Sequence, residues 1–309
     1  MSSSKKGPPP IVYIAGMLAL AGGGYALFAN RSNLPTPIPN SATSPNNTNS
    51  YRPNSAIKVP FDPPATIPAG TAFKVSGSTS MAQITQSLKI GFEKKFPGVQ
   101  VVNGASSSGQ GLKDLATGSI DLAGISRELT ADEKAQGLTS IPIVQDKIAI
   151  VIGNNNDLRT GLTSDQLAKI FTGEITNWSQ VGGKSLPIRP ILRPINSGTH
   201  QSFQEIGLQG KNFGTGGKFK ILERDATTPL LQALGDDGIG YATFAQVANQ
   251  STVRSIAIDG ILPTANNYPY KRTLAYVYKG QPNDAVKAFL GFATSSEGQQ
   301  LINQPAQSK

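Results

Sequence analysis

Residues 73–82 read FKVSGSTSMA. Phe73-Lys74-Val75 alternates apolar and polar as a half-buried strand does. Gly77 to Ser80 is a turn of glycine and hydroxyl residues. From Ala82 onward Ile84, Leu88, Phe92 and Phe96 recur near helical spacing, with Lys89, Glu93, Lys94 and Lys95 largely on other faces. A strand thus runs through a short Ser/Thr/Gly turn into a helix. The same design returns at Ser106-Ser107-Ser108-Gly109-Gln110-Gly111 and at Arg193-Pro194-Ile195-Asn196-Ser197-Gly198-Thr199.

Outward from these junctions the pattern holds. Phe73–Ser76, Val99–Val102, Asp121–Ile125, Ile141–Ile152, Ile188–Leu192, Ile239–Ala242, Val253–Ile258 and Leu274–Tyr278 read as strands. Met81–Phe96, Gly111–Thr117, Ser164–Phe171, Gln201–Leu208, Pro229–Leu234 and Asn283–Phe292 read as helices. Alternating strands and helices imply an α/β protein with largely parallel sheets. No repeat of solenoid length is present.

Composition removes whole classes. The 309 residues contain no cysteine and one histidine, His200. That excludes a disulfide framework, an Fe–S cluster, a Cys-ligated zinc, a Cys nucleophile and a lipoprotein anchor. A His-rich metal site is excluded too, and no calcium-loop or nucleotide-loop motif is present. No metal and no cofactor is expected. The net charge is +9, of which residues 1–71 carry +4. No basic run with interleaved aromatics marks a nucleic-acid partner. A catalytic His200 would need a nucleophile and an orienting acid, and none is marked. No catalytic residue is expected, and His200 reads as an exposed first-turn residue. Trp178 reads as core.

The N-terminal part reads as an address. Residues 1–10 form a short tail with Lys5 and Lys6, and 11–29 are nineteen residues without a charge. Such a run is long enough to span hydrocarbon as a helix, and the lysines favour a cytoplasmic N-terminus. Ala26–Ala29 (ALFA) lacks the A-x-A pattern of a cleavage site. An uncleaved anchor is therefore the preferred reading, with a cleaved signal peptide as the alternative. Residues 30–71 hold nine prolines and many Asn and Ser. They read as a disordered linker that holds the domain off a membrane.

The junctions suggest chemistry. A helix N-terminus presents unpaired N–H groups and partial positive charge. Hydroxyl side chains add donors, and glycine lets the backbone approach closely. Together these make a cradle for an oxyanion, although Ser and Thr also cap helices with no ligand at all. Three such junctions, one led by Arg193, favour the anion.

On the stretches SGSTSMAQI, SSSGQGLKDL, DLAGISREL, LTSDQLAKIFTGEITNWSQVGG, RPINSGTHQSF, GIGYATFAQV and AFLGFATSSEGQQLI, the chain resembles the phosphate-binding component of high-affinity phosphate ABC importers. The likeness covers Phe73 to about Asn303 and is to the branch whose first loop reads GSTS. It implies a two-lobed periplasmic-binding-protein type II fold, each lobe a sheet flanked by helices, with two hinge crossovers. Lobe one would be 72–153 plus 244–309, and lobe two 154–243. It also implies that Thr79, Ser80, Ser108, Arg193, Ser197, Gly198 and Thr199 bind phosphate. The partners implied are inorganic phosphate and an inner-membrane permease, for a monomer on the periplasmic face of a bacterial inner membrane.

One departure stands out. The family places an Asp after the Ser of the third lobe-one strand, where it accepts the proton of hydrogen phosphate. Here that strand ends Ile125-Ser126-Arg127, and Arg has no acceptor. Ser126 is then a possible lining residue. Arg127 either adds charge to the site or turns away to an acid, and Asp146 is a possible replacement acceptor. The alternatives are a binder of another oxyanion (sulfate, arsenate, an organophosphate), a membrane-tethered phosphate sensor or scaffold, and a phosphohydrolase.

Overall fold

The computed structural model describes residues 57–303. The N-terminal tail, the apolar segment 11–29, the first part of the linker (30–56) and residues 304–309 lie outside the described residues. No helix among the described residues is long and apolar enough to cross a membrane.

The strands are β1 (Ala72–Gly77), β2 (Gln100–Asn103), β3 (Leu122–Ile125), β4 (Leu138–Gly153), β5 (Arg189–Leu192), β6 (Lys220–Ile221), β7 (Gly238–Thr243), β8 (Val253–Ser255) and β9 (Lys271–Lys279). The helices are α1 (Ala82–Lys95), α2 (Ser108–Ala116), α3 (Ala131–Ala135), α4 (Ser164–Thr172), α5 (Gly198–Ile206), α6 (Thr227–Ala233), α7 (Phe244–Val247), α8 (Asp284–Thr294) and α9 (Ser296–Asn303). Strand order is β2-β1-β3-β9-β4-β7-β5-β6, with β8 beside β4.

Of four hydrophobic clusters among the described residues, the two largest mark two lobes. Phe73, Leu88, Phe92, Ile141, Leu274, Tyr276 and Phe289 belong to the first. The Phe73 ring meets Phe92 and Phe289 edge-on at centroid distances of 6.1 and 5.4 Å. Each such phenyl removed from water is worth roughly 2–3 kcal/mol. Ile148, Phe171, Trp178, Phe203, Tyr241, Ile258 and Tyr270 belong to the second. Trp178 is core, as expected, and its Nε1–H donates to the Asp237 carbonyl at 3.0 Å.

β4 serves both lobes. Residues from Leu138 to Lys147 pair with β9, and Ile148–Ile152 pair with β7. The second passage lies at Tyr270/Lys271, since Ile256, Ile258, Tyr268 and Tyr270 pack with the second core and Leu274 with the first. The change of partners therefore falls at 147/148 and 270/271 rather than at 153/154 and 243/244. A continuous strand shows no break in its apolar pattern where it changes lobe, so its residues alone give no sign of the passage.

The expected largely parallel sheet is corrected as well. Pairs β1/β2, β1/β3, β5/β6 and β5/β7 are parallel, whereas β3/β9, β4/β9, β4/β7 and β4/β8 are antiparallel. The parallel order holds inside each lobe, and the antiparallel pairs all involve the two long strands at the junction.

The linker ends earlier than expected. Val59, Phe61 and Ile67 pack against the first core, and the Phe61 ring meets Tyr278 at 6.0 Å. Apolar residues among the prolines bury there, so 57–71 belongs to lobe one. α3, α7, α9 and β6 also escaped the sequence reading, being short or terminal. α3 is five residues held by a capping box between Thr130 and Glu133.

Candidate anion-binding site

The three junctions converge. β1 ends at Gly77, whose φ is +131° and whose added Cβ would stand 2.3 Å from the Gly124 carbonyl oxygen. Only glycine fits that crossing. Beyond it, Ser78 Oγ accepts from the Ser80 N–H at 3.2 Å and donates to Ser126 Oγ at 2.9 Å. Ser107 caps α2, and Ser108 Oγ accepts from the Ser126 N–H at 3.1 Å. Ser197 Oγ caps α5 by accepting from the His200 N–H at 3.3 Å.

The lobes touch through these turns. The Gly109 N–H donates to the Asn196 carbonyl at 3.1 Å, and Ser202 Oγ to the Ser126 carbonyl at 2.8 Å. Gly198 sits at the seam. A Cβ there would lie 2.1 Å from Ser108 Oγ and 2.4 Å from Ser126 Oγ, so no other residue permits this approach.

Arg272 stands at the centre. Its Nη1 donates to Thr199 Oγ1 at 2.8 Å, and its Nη2 to Ser80 Oγ at 3.0 Å and Thr243 Oγ1 at 2.7 Å. Nε donates to Asp146 Oδ2 at 2.9 Å. Ser80 Oγ also lies 3.3 Å from Thr199 Oγ1. Burial pushes the Arg272 guanidinium below its ordinary pKa, while Asp146 acts the other way. A buried charge of this kind needs its partner.

Arg193 forms a second arm, only 1% exposed. Nη1 donates to Asp225 Oδ1 at 2.6 Å, Nη2 to Thr227 Oγ1 at 2.7 Å, and Nε to the Tyr241 carbonyl at 3.4 Å. Its backbone N–H donates to the Tyr241 hydroxyl at 3.2 Å. That hydroxyl lies 3.1 Å from His200 Nδ1. Burial pushes the Tyr241 phenol above its ordinary value, so it stays protonated, and with His200 as the Nε2–H tautomer its O–H donates to Nδ1. Burial pushes His200 below its ordinary value, which suits the neutral, accepting ring. The Thr227 hydroxyl donates to Gln246 Oε1 at 2.6 Å, and Gln246 Nε2 to the Thr79 carbonyl at 2.9 Å. Thr79, Thr227 and Gln246 also border an open cleft of about 1030 Å³.

Two buried guanidiniums, five hydroxyls and three helix starts, supplied by both lobes, form a buried, donor-rich cluster of the kind that suits a small oxyanion. Among the described residues no group of three or more His, Asp or Glu is placed to hold a metal ion. A model of the PBP superfamily domain matches residues 62–297. This chain belongs to that family. The phosphate-binding protein PstS of Bacillus subtilis is 28% identical over 245 residues, covering 76% of this chain and 79% of its own length. A putative phosphate ABC transporter substrate-binding protein from Clostridium perfringens, solved with bound phosphate, superposes with a TM-score of 0.68 at 29% identity. The match covers 75% of this chain and 96% of that one. An ABC-type phosphate transport receptor from Vibrio cholerae gives 0.62 at 26% identity, over 75% and 97% of the two chains.

In this PBP-domain chain Ser80 and Thr199 bond the Arg272 guanidinium through their hydroxyls and Ser126 through its carbonyl at 3.4 Å, while Ser108 and Gly198 lie against Ser126. Ser197 faces its own helix start, and Thr79 offers its carbonyl to Gln246 at the cleft edge. Arg193 lies in the second arm. Arg127 is turned away: Nη1 and Nη2 each donate to the Glu133 carboxylate at 2.7 Å, and this guanidinium holds Glu133 below the usual carboxylate range. Asp146 Oδ2 is engaged by Arg272. His200 is buried rather than exposed, with its ring centroid 4.3 Å from that of Phe213. The first turn of α5 packs down onto the second core, which closes over it.

Arg272, Thr243, Asp225, Thr227 and Gln246 were missed by the sequence reading. Arg272 had a signal. It lies in phase with the inward-facing Leu274 and Tyr276 of β9, and a charge on the buried face of a strand asks for a partner. Asp225 sits in an irregular loop and had none.

Proposed function

We propose that this protein is an extracytoplasmic solute-binding protein that captures inorganic phosphate between its lobes and delivers it to an ABC-type permease. The supporting observation is the Arg272 guanidinium, buried and bonded to hydroxyls that both lobes contribute. Ser80 comes from lobe one, Thr199 and Thr243 from lobe two. A dianion placed among these groups would take over hydrogen bonds they now make with one another and with Arg272. Charge-assisted bonds of that kind are about twice as strong as neutral ones.

Phosphate would be held by Ser80, Ser108, Thr199 and the backbone N–H groups at Thr79 and Gly198, with Ser126 beside them. Ser197 would hold the third turn in shape. Arg193 and Arg272 would supply the positive charge. Binding by both lobes makes the closed form the liganded one, as in hinge-bending receptors. No bond in phosphate is made or broken. Residues 11–29 would anchor the chain in the inner membrane, and 30–56 would tether a monomeric domain on its outer side.

The test is calorimetric titration of the full chain in detergent with phosphate, after unfolding and refolding to remove any carried anion. A Kd of about 1 µM or tighter, roughly −8 kcal/mol or more, is expected. Absence of binding up to millimolar phosphate overturns the reading.

A further inference from the structure

β7 runs directly into α7, and the start of that helix grips lobe one. Val247 packs with Ala149 and Val151 of β4 and Ala242 of β7, so α7 belongs to lobe two. Thr243 stands at the N-cap position, yet its side chain does not cap the helix. Its hydroxyl donates instead to Ser80 Oγ of lobe one at 2.8 Å. Three residues on, along the same side of the helix, the half-buried Gln246 donates through Nε2 to the Thr79 carbonyl at 2.9 Å. Two adjacent lobe-one residues are thus held by two lobe-two residues one turn apart.

Both ends of the Gln246 amide are committed. Arg193 Nη2 donates to Thr227 Oγ1 at 2.7 Å, Thr227 donates to Gln246 Oε1 at 2.6 Å, and Gln246 donates to Thr79. The bonds all point one way, an order in which each polarises the next. They join the Arg193 guanidinium to the first Ser/Thr/Gly turn. The acceptor end of this chain is stiff. The Ser78 N–H is bound to the Gly124 carbonyl at 2.8 Å and the Met81 N–H to the Ser78 carbonyl at 2.9 Å. Gln246 also borders the open cleft, whose walls include Gln83 of α1 and Gln232 of α6. Its amide therefore bridges the lobes between that cleft and the Arg193 arm.

We propose that Gln246 is a positioning residue that latches the lobes together over a bound anion. This rests on the phosphate reading above. The amide reaches the Thr79 carbonyl only while the lobes are in contact. It therefore slows release of the anion without touching it, and plays no part in the encounter, which precedes closure.

Two substitutions separate the two bonds. Gln246→Met keeps the length of the side chain and loses both. Gln246→Glu still accepts from Thr227, but turns a carboxylate oxygen toward the Thr79 carbonyl, where no donor remains. The full chain in detergent, freed of carried anion, is labelled with an environment-sensitive dye at Ile195→Cys. The native chain has no cysteine, and Ile195 is 80% exposed beside the third turn. Stopped-flow mixing with phosphate at pH 8 reads association and release, calorimetry reads Kd, and circular dichroism checks each fold. Gln246→Ala replaces Gln246→Met if the latter does not fold. Both variants are expected to release phosphate about tenfold faster, the worth of one net hydrogen bond, with association within about twofold of native. Release within twofold of native in both variants overturns the latch. So does a Gln246→Glu that behaves as native while Gln246→Met releases faster, since the amide then serves Thr227 alone. Loss of affinity carried by slower association also overturns it, and each of these three outcomes leaves the phosphate reading standing. A native chain that takes no phosphate overturns that reading, and the latch with it.

Discussion

Arg193 and Arg272 are both buried, both paired with an aspartate and both set near a strand end, yet they serve the two lobes differently. Arg193 bonds Asp225, Thr227 and Tyr241, all within lobe two. Arg272 bonds Asp146 and Ser80 on one side and Thr199 and Thr243 on the other. The first arm is complete within lobe two. The second draws on both lobes. Two buried charges of one cluster are thus anchored differently, one within a lobe and one across the junction.

The largest effect expected is for Arg272→Met. Asp146 is then left buried without its partner, which costs about 3–5 kcal/mol of stability. Thermal or denaturant unfolding reads this. Adding Asp146→Asn should recover most of it, while phosphate affinity stays down by about 1000-fold. In saturating phosphate, small-angle scattering should find Arg272→Met open and Arg193→Met, though weakened, still able to close. The opposite pattern breaks the comparison.

A smaller effect belongs to the Arg193 arm alone. His200 accepts from Tyr241 beneath it and is held below its ordinary value by burial. On acidification the unfolded chain therefore takes up this proton before the native one does. Stability falls as pH drops below about 6.5. Melting curves of His200→Asn should lose that part of the slope. An unchanged slope shows that the loss comes from other groups, and that the Arg193 arm has no pH-sensitive floor.

The smallest effect on binding sharpens the comparison by exclusion. Arg127 is buried and committed to Glu133, which keeps some access to water. Arg127→Gln should cost about 1–3 kcal/mol of stability, the worth of hydrogen bonds to a charged partner. It should leave phosphate affinity within about twofold, since a group outside the cluster contributes little to binding. A tenfold loss in calorimetry would make Arg127 a third arm.

Much of this was legible in the residues. The alternation of β1, the short apolar runs of β3, β5, β7 and β9 and the helical spacing in α1 are local patterns, and the structure returns them within a few residues. Ser80, Ser108 and Thr199 were legible because each belongs to a turn whose own composition marks it. The N-terminal address segment was read from composition too, and lies outside the described residues. α3, α7 and β6 were not legible: four or five residues, or two, hold too few turns or alternations to show a period. Arg127 and Asp146 could be named but not aimed. Whether Arg127 faces the cluster depends on Glu133 six residues on, and Asp146 on Arg272 in another strand.

By itself the sequence determined most of the elements, the hydroxyl-lined helix starts and the absence of thiol chemistry, because these depend on near neighbours and on counts. The tertiary structure alone decided where β4 changes lobe and which guanidinium stands at the centre. Those outcomes are set by pairings between residues such as Ser80 and Arg272, far apart in the chain. A buried charge declares its partner only when packing has excluded water from around both.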